Sequence, residues 1–464
     1  MLTVYRIVKN YTDDDLTNGL QMKKIILFVL MLYSLSTLAT PVLSMKERSK
    51  LIDNILEQRF SDVLPRIMAR EGIDMWVLMS REYNEDPVLK TMLPSTWVSA
   101  RRHTMLVIYD PGNGQPLERL AVARYAVGAL FEKAWDKEAQ PNQWKALKQI
   151  IETRNPSKIA INVSEAFALA DGMSSTEYKK FMAVLSDDLK SRVVSGEKLA
   201  VGWLETRSEL EMKHYPVLTQ IGHSLISTAF SNEVITPNVT TTDDVVWWLR
   251  DQTRALGLTN WFHPTVSIQR QDSEVFNQVA AFSKRPGENV IQPGDLIHVD
   301  FGITYLRLNT DQQQHAYVLK PGENDAPLSL KKALKNGNHL QDILTSNFKV
   351  GRTGNAILSM SRQQAIDQGI TPAIYTHPLG FHGHAAGPTI GMWDAQEGVP
   401  VKGDYPMFEK TAYSIELNAA SYIEEWNKEV RIMLEEDAFF DGEKVIYLDG
   451  RQTKFHLIHP AEKQ

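Results

Sequence analysis

The chain of 464 residues is longer than one hydrophobic core usually spans, and a composition of 43% hydrophobic and 23% charged residues is that of a globular protein, not a disordered or polytopic membrane one. A formal charge of −6 leaves no basic surplus for a phosphate backbone, so nucleic acid is not an expected partner. The absence of cysteine removes disulfides, thiolate nucleophiles and cysteine-ligated zinc, and any metal must be held by His, Asp or Glu.

From Met22 the sequence runs Met22-Lys23-Lys24, then apolar residues from Ile25 to Leu38, then the small and polar stretch Ala39 to Ser44. These are the three parts of a secretory signal peptide. The 14-residue apolar run falls short of the ~20 residues that a spanning helix needs. Cleavage after Ala39 or Ser44 is therefore expected, with a periplasmic or secreted product and no stable membrane insertion; an uncleaved inner-membrane tether is the alternative. Residues 1–21 lie upstream of a second candidate initiator and are expected to be untranslated or disordered.

Residues 45–200 alternate helical and strand patterns: an amphipathic helix over Arg48–Arg70, the strand Met75–Met79, a strand Met105–Tyr109 stopped by the turn Asp110 to Gly114, and a strand Lys158–Asn162. Interleaved helices and strands predict an α/β domain. Asp187–Gly202 is polar and without sustained periodicity, so it reads as a linker, and Arg101-Arg102-His103 reads as a solvated loop. Residues 201–464 begin with a helix over Thr206–Asn232 and a second helix capped by the Thr240 to Asp244 run. Strands dominate from Val266, broken by helices near Leu328–Asn347 and Thr353–Gln368. That order predicts an α+β domain with helices packed outside a curved antiparallel sheet.

Chemistry concentrates in the second half. The apolar strand Asp295–Gly302 places Asp300 where a buried side chain is expected, and a buried carboxylate needs a partner or a metal. Eleven positions on, Asp311 stands on what should be the returning strand of a hairpin, which would bring the two carboxylates together. Taken alone, the pair reads as two solvated loop aspartates. The segment Thr376–Gly387 then puts three histidines, His377, His382 and His384, into eight residues framed by glycines, a pattern that favours a ligand site. Glu416 interrupts an apolar alternation, and Glu435 and Glu436 end another strand.

Asp, Asp, His, Glu, Glu in this order resembles the creatinase/methionine aminopeptidase superfamily, the M24 metallopeptidases, and in particular its two-domain aminopeptidase P/prolidase branch. The resemblance implies a creatinase-like N-terminal α/β domain and a pita-bread C-terminal domain. Through its motifs it implies Asp300, Asp311, His384, Glu416 and Glu436 as ligands of two divalent ions sharing a hydroxide. Oxygen-rich ligation with one imidazole favours Mn(II), with Co(II), Fe(II) or Zn(II) as alternatives. The implied activity is that of an Xaa-Pro aminopeptidase or dipeptidase acting on small peptides, and the implied assembly is a homodimer.

The match breaks in three places. Pro264–Arg270 lacks the family's histidine, with His263 just before it as an imperfect substitute, and Trp393 stands where a second histidine belongs. His382 and His377 are the candidates to take over proton transfer at the substrate. At the last ligand, strand parity from Arg431 favours Glu435 whereas the Glu-Asp motif favours Glu436, and Glu436 is the expected ligand. The lost histidines also keep open a non-peptidase enzyme of the same fold, a small-molecule hydrolase or lyase, and more remotely a degenerate binding protein.

Overall fold

The computed structural model describes residues 42–271 and 289–460. Residues 1–21 and the apolar run of the expected signal peptide lie outside the described residues. No helix among the described residues is long and apolar enough to cross a membrane. Ser44 caps helix α1 (Met45–Gln58) in a reciprocal box with Glu47. A wider π-helical turn (Arg59–Val63) carries the chain into α2 (Leu64–Glu71), which ends on Gly72 in the left-handed conformation, φ 61°.

Strand β1 (Met75–Arg81) is buried at every position except its last, because it lies near the middle of a sheet covered on both faces. Short α3 (Pro87–Met92) follows, then β2 (His103–Tyr109), β3 (Glu118–Val122), β4 (Glu132–Lys133), α4 (Gln143–Arg154), β5 (Ile159–Ile161) and α5 (Ser175–Val184). With β6 (Val193–Ser195) at its edge, the sheet has the order β4-β3-β2-β1-β5-β6, mixing antiparallel and parallel neighbours. Side chains alternate across it: Trp76, Leu78, Leu106 and Ile108 join the core under α1, α2 and α3, while Met75, Val77, Met105 and Val107 join the core under α4 and α5. His103 is no solvated loop residue, since it opens β2 and is held by Gln143 and Glu177.

The expected linker is regular structure. It contains α6 (Asp187–Ser191), β6 (Val193–Ser195) at the sheet edge, and α7 (Glu197–Glu205). In α7 every residue from Leu199 to Glu205 is buried, so no apolar stripe is visible in the sequence. Its Leu199, Trp203 and Leu204 pack in the same core as α1 and α2.

Beyond it come α8 (Glu209–Ala229), boxed by Ser208 and Glu211, and α9 (Thr242–Ala255), boxed by Thr241 and Asp244 as the Thr-Asp run predicts. Then follow β7 (Thr259–Asn260), β8 (Thr265–Gln269), β9 (Leu296–Phe301), β10 (Ile303–Tyr305), β11 (Leu308–Asn309), β12 (Gln312–Val318), α10 (Leu328–Ser346) and α11 (Gly354–Asp367). The remaining strands are β13 (Thr371–Ile374), β14 (His377–Leu379), β15 (Thr411–Ser414), β16 (Leu417–Ile423), β17 (Lys428–Leu434), β18 (Asp437–Phe440), β19 (Val445–Tyr447) and β20 (His456–Ile458). Three runs of chain, β13–β14, β15–β16 and β17–β18, each leave one sheet and enter the next, so β13-β16-β17 and β14-β15-β18-β19 are one bent surface. Helices α10 and α11 cover its outer face, as expected for a curved sheet with helices outside.

The two halves meet at a buried ion cluster. Arg59 of the π-turn and Arg207 both donate to Glu211, at 2.6 and 2.9 Å, with all three side chains at most 1% exposed. Spare guanidinium hydrogens go to the Thr206, Trp203 and Leu204 carbonyls, and the Ser208 N–H donates to Glu211. Burial pushes the Glu211 carboxyl up, but Arg207 and Arg59 outweigh it and hold the group below the ordinary carboxylate range. Replacing Glu211 with Ala strands two buried cations, so Glu211→Ala is expected to lower stability by roughly 3–5 kcal/mol in urea denaturation. A loss below about 1 kcal/mol, the range of an exposed ion pair, would show that the cluster does not hold the halves together.

Candidate metal centre

The bends between sheets position the site. A strand that changes sheets leaves its ladder for one or two residues, and the side chains there are free to converge. Glu416 stands between β15 and β16, Glu435 between β17 and β18, and His377 at the first position of β14 just after β13 gives way. Asp311 immediately precedes β12, and Asp300 is on β9, opposite Gln313 in the antiparallel register. Asp311 is therefore the diagonal neighbour of Asp300 on the same face, as the hairpin spacing implies. The excursion between them closes on Leu306 and Arg307, both left-handed at φ 53° and 65°, and Arg307 is anchored by donating to the Leu93 carbonyl at 2.6 Å.

At the centre is the His377 imidazole. Its Nδ1 lies 3.1 Å from the Pro378 carbonyl, which fixes the proton there and presents Nε2 as an acceptor. That Nε2 has no hydrogen-bond partner and lies 3.6 Å from Asp311, 3.8 Å from Glu416 and 3.6 Å from Glu435. Donors about 2.1 Å from one tetrahedral ion would be ~3.4 Å apart, so these separations frame a cation. Asp300, Asp311 and Glu435 form a second group of donors within 4.8 Å of one another, sharing Asp311 and Glu435 with the groups around His377. Asp300 Oδ1 is also buried without a partner.

Electrostatics point the same way. Burial first, and then the charge of Glu435, pushes the Asp300, Asp311 and Glu416 carboxyls well above their ordinary range. Four carboxyls this close hold protons or a cation. The unpartnered nitrogen among these carboxylates fits a divalent cation better than a cluster of protons.

Gln313 locks two of the ligands. Its Nε2 donates to Glu416 at 2.7 Å and to Glu435 at 2.6 Å, while His298 Nε2, 2.8 Å from Gln313 Oε1, sets which way the amide points. Burial lowers the His298 pKa to about 4, so the ring is neutral and donates one proton. The sequence pattern missed this residue because a glutamine inside Gln312-Gln313-Gln314 carries no local signal. Partners behind metal ligands typically govern affinity by about 10–100-fold, so Gln313→Ala is expected to weaken divalent-metal binding by that factor in chelator competition. Unchanged affinity would remove Gln313 from the centre's support.

Glu436 is not in the centre. Adjacent strand residues face opposite ways, and Glu436 points behind the site to His223 at 2.6 Å and to the Gln452 backbone N–H at 2.8 Å. Glu435 occupies the position assigned to Glu436, as the parity from Arg431 requires. His377 sits among the carboxylates, and His384, expected as the imidazole ligand, is exposed at the mouth with a ring nitrogen within 4.8 Å of donor atoms of Asp311 and His377. His382 does not line the cavity; burial and then nearby Lys90 and Arg207 lower its pKa. His263 turns away to Arg250 and the Trp247 ring.

A cavity of about 150 Å³ opens over the carboxylates, walled by Trp261, Phe262, Tyr375, His384 and Trp393. The Trp393 indole N–H is buried without an acceptor, whereas that of Trp261 is spent on the Thr310 carbonyl.

Behind the centre, His223 is clamped between Glu436 and Asp449. Burial lowers its pKa, but the hydrogen bonds to Asp449 and Glu436 win and raise it to about 10. The folded protein thus binds a proton that the unfolded chain releases near pH 6.5, and the stability gained is present below about 6.5 and lost as pH rises toward 10. His223→Gln is expected to flatten the fall in stability across that window in denaturation curves taken at several pH values; parallel curves for both proteins would refute the clamp.

Residues 219–437 match the model of metallopeptidase family M24. The X-Pro aminopeptidase of Thermotoga maritima is similar in structure, with a TM-score of 0.59 at 17% identity, covering 84% of this chain and 99% of that one. A putative aminopeptidase P from Bacillus anthracis gives 0.58 at 11% identity over 86% and 94% of the two chains, and a Xaa-Pro dipeptidase from the same organism 0.55 at 15% over 89% and 100%. No curated protein sequence matches the chain. The shared fold is the two-domain one, an N-terminal α/β domain followed by a pita-bread domain.

Proposed function

With residues 219–437 matching the model of metallopeptidase family M24, we propose that the protein is a two-metal peptidase that hydrolyses short peptides at or next to an Xaa-Pro bond. The observation that carries the reading is the partnerless His377 Nε2, 3.6–3.8 Å from carboxylates of three different chain segments. Asp300, Asp311 and Glu435 would hold one ion, and His377 and Glu416, with Asp311 and Glu435 within reach, would hold the other. When bound, such a pair polarises a peptide carbonyl and supplies nucleophilic water at neutral pH. Mn(II) suits the oxygen-rich donor set, with Co(II), Fe(II) or Zn(II) as alternatives.

The chain's own contributions are positional. Gln313 and Ser414 fix the carboxylate rotamers by donating to Glu435. The aromatic walls exclude water and admit a compact apolar residue such as proline. Tyr375, whose phenol is pushed up first by burial and then by Glu416, stays protonated and can donate to a substrate carbonyl. His377 and His382 do not take the proton-transfer role expected of them, since the first faces the carboxylates and the second lies off the cavity wall.

Trp393 is the observation that favours a second reading. An indole in the cavity wall donates a hydrogen bond but cannot relay a proton, which suits a small-molecule hydrolase or lyase on the same centre. Xaa-Pro dipeptides, longer Xaa-Pro peptides and non-proline controls, assayed after reconstitution with Mn(II), separate the two. The expected result is metal-dependent turnover of Xaa-Pro substrates that Asp311→Asn abolishes. Metal bound with no peptide cleaved would transfer the protein to the second reading, and no metal bound would make it a binding protein.

A further inference from the structure

Away from the metal centre, we propose a second binding site, a cavity between the two halves that takes a small zwitterion: a free amino acid or dipeptide with both its amine and its carboxylate charged. The cavity has a volume of about 320 Å³, and none of its lining residues belongs to the metal centre. Small-molecule pockets begin at about this size. One wall carries Asp62 and Val63 of the π-turn and Arg66 of α2; the other carries Arg207 and Glu209 at the start of α8, and Lys410 just before β15. Four charges face this space without pairing with one another. The Asp62 carboxylate accepts from the neighbouring Ser61 hydroxyl alone, and Arg66 spends its Nε on the Asp62 backbone carbonyl at 2.6 Å. The Glu209 carboxylate and the Lys410 ammonium have no hydrogen bond or ion pair among the described residues. A ligand of one sign would meet two like charges here. A zwitterion sets its ammonium on Asp62 and Glu209 and its carboxylate on Arg66 and Lys410.

The fold fixes these groups from both sides. Lys410 is left-handed at φ 59°, a region lysine rarely occupies, and its carbonyl is held there by the Arg207 N–H at 2.7 Å. Asp62 owes its place to the π-turn, a form that recurs at functional sites. Arg207 is already occupied, donating to Glu211 and to the Leu204 carbonyl, so it adds positive field to the cavity rather than a contact. Val63 is the one apolar side chain among the described residues of the wall, which favours ligands with small side chains. A bound zwitterion touches α2 and α8 together and so adds to the junction of the halves.

The test titrates glycylglycine into the full chain, reconstituted with Mn(II), by calorimetry. One binding event is expected that survives Asp311→Asn, a change in the metal centre, and weakens at least about tenfold in Glu209→Gln and in Lys410→Gln, the loss of one charge-assisted hydrogen bond in each. N-acetylglycylglycine, without the ammonium, and glycylglycinamide, without the carboxylate, should each bind the parent protein at least about tenfold more weakly for the same reason. Glycylglycine should raise the thermal midpoint of the parent protein more than that of either variant, and the ligand-free midpoints show that the variants fold. Neither heat of binding nor a shifted midpoint would overturn the site. Binding lost in Asp311→Asn but kept in Lys410→Gln would put the dipeptide in the metal centre and overturn it as well. Equal binding of the two blocked dipeptides would overturn the zwitterion as its ligand.

Discussion

Four carboxylates and one imidazole nitrogen share a space from which water is largely excluded, and this crowding constrains the rest of the C-terminal half. Asp311, Glu416 and Glu435 are at most 5% exposed, so their mutual repulsion is not screened by solvent. A fold that brings them together must supply rigid backbone behind each, hydrogen bonds that fix their rotamers, and positive charge in front. The bent surface supplies the first: three chain runs cross from sheet to sheet at Tyr375-Thr376, Ile415-Glu416 and Glu435-Glu436. Gln313, His298 and Ser414 supply the second. A divalent cation held by these donors, as proposed, would supply the third.

The N-terminal domain is tied into this arrangement by contacts rather than by catalytic groups. Arg59 reaches across to Glu211, and both Arg59 and Arg207 lie against the Phe381 ring, in the same loop as His382 and His384. A side chain on Gly380 would collide with the Arg207 guanidinium at 2.8 Å, so the buried ion cluster and the histidine loop are packed as one unit. Arg307, at the hairpin tip between the two aspartates, is anchored on the Leu93 carbonyl of the other half. Displacing the N-terminal domain would therefore remove support from the histidine loop and from the hairpin tip between the two aspartates.

Much of this was legible in the residues. Capping boxes mark the helix starts at Ser44/Glu47, Ser208/Glu211 and Thr241/Asp244, each a Ser or Thr three residues before an acidic one. Both aspartates, the histidine-rich loop and Glu416 stand out because polar groups interrupt apolar strands. Helix α7 was invisible for the opposite reason: burial on all sides leaves no polar face to define a period. Gln313 and the aromatic walls carry no signal either, since their roles arise from partners as much as 122 residues distant.

By itself the sequence determined the fold class, the two-part organisation and the order of ligand types, because alternation, capping and spacing are local properties of the chain. Tertiary structure decided which histidine and which of two adjacent glutamates enter the centre. Glu435 and Glu436 differ only in how a strand leaves its sheet, one residue of register turning a side chain to the opposite face, whereas His377 opens β14 and His384 lies in the loop beyond it. That choice rests on long-range contacts, Gln313 on one side of Glu435 and His223 on the far side behind Glu436, which no local pattern encodes.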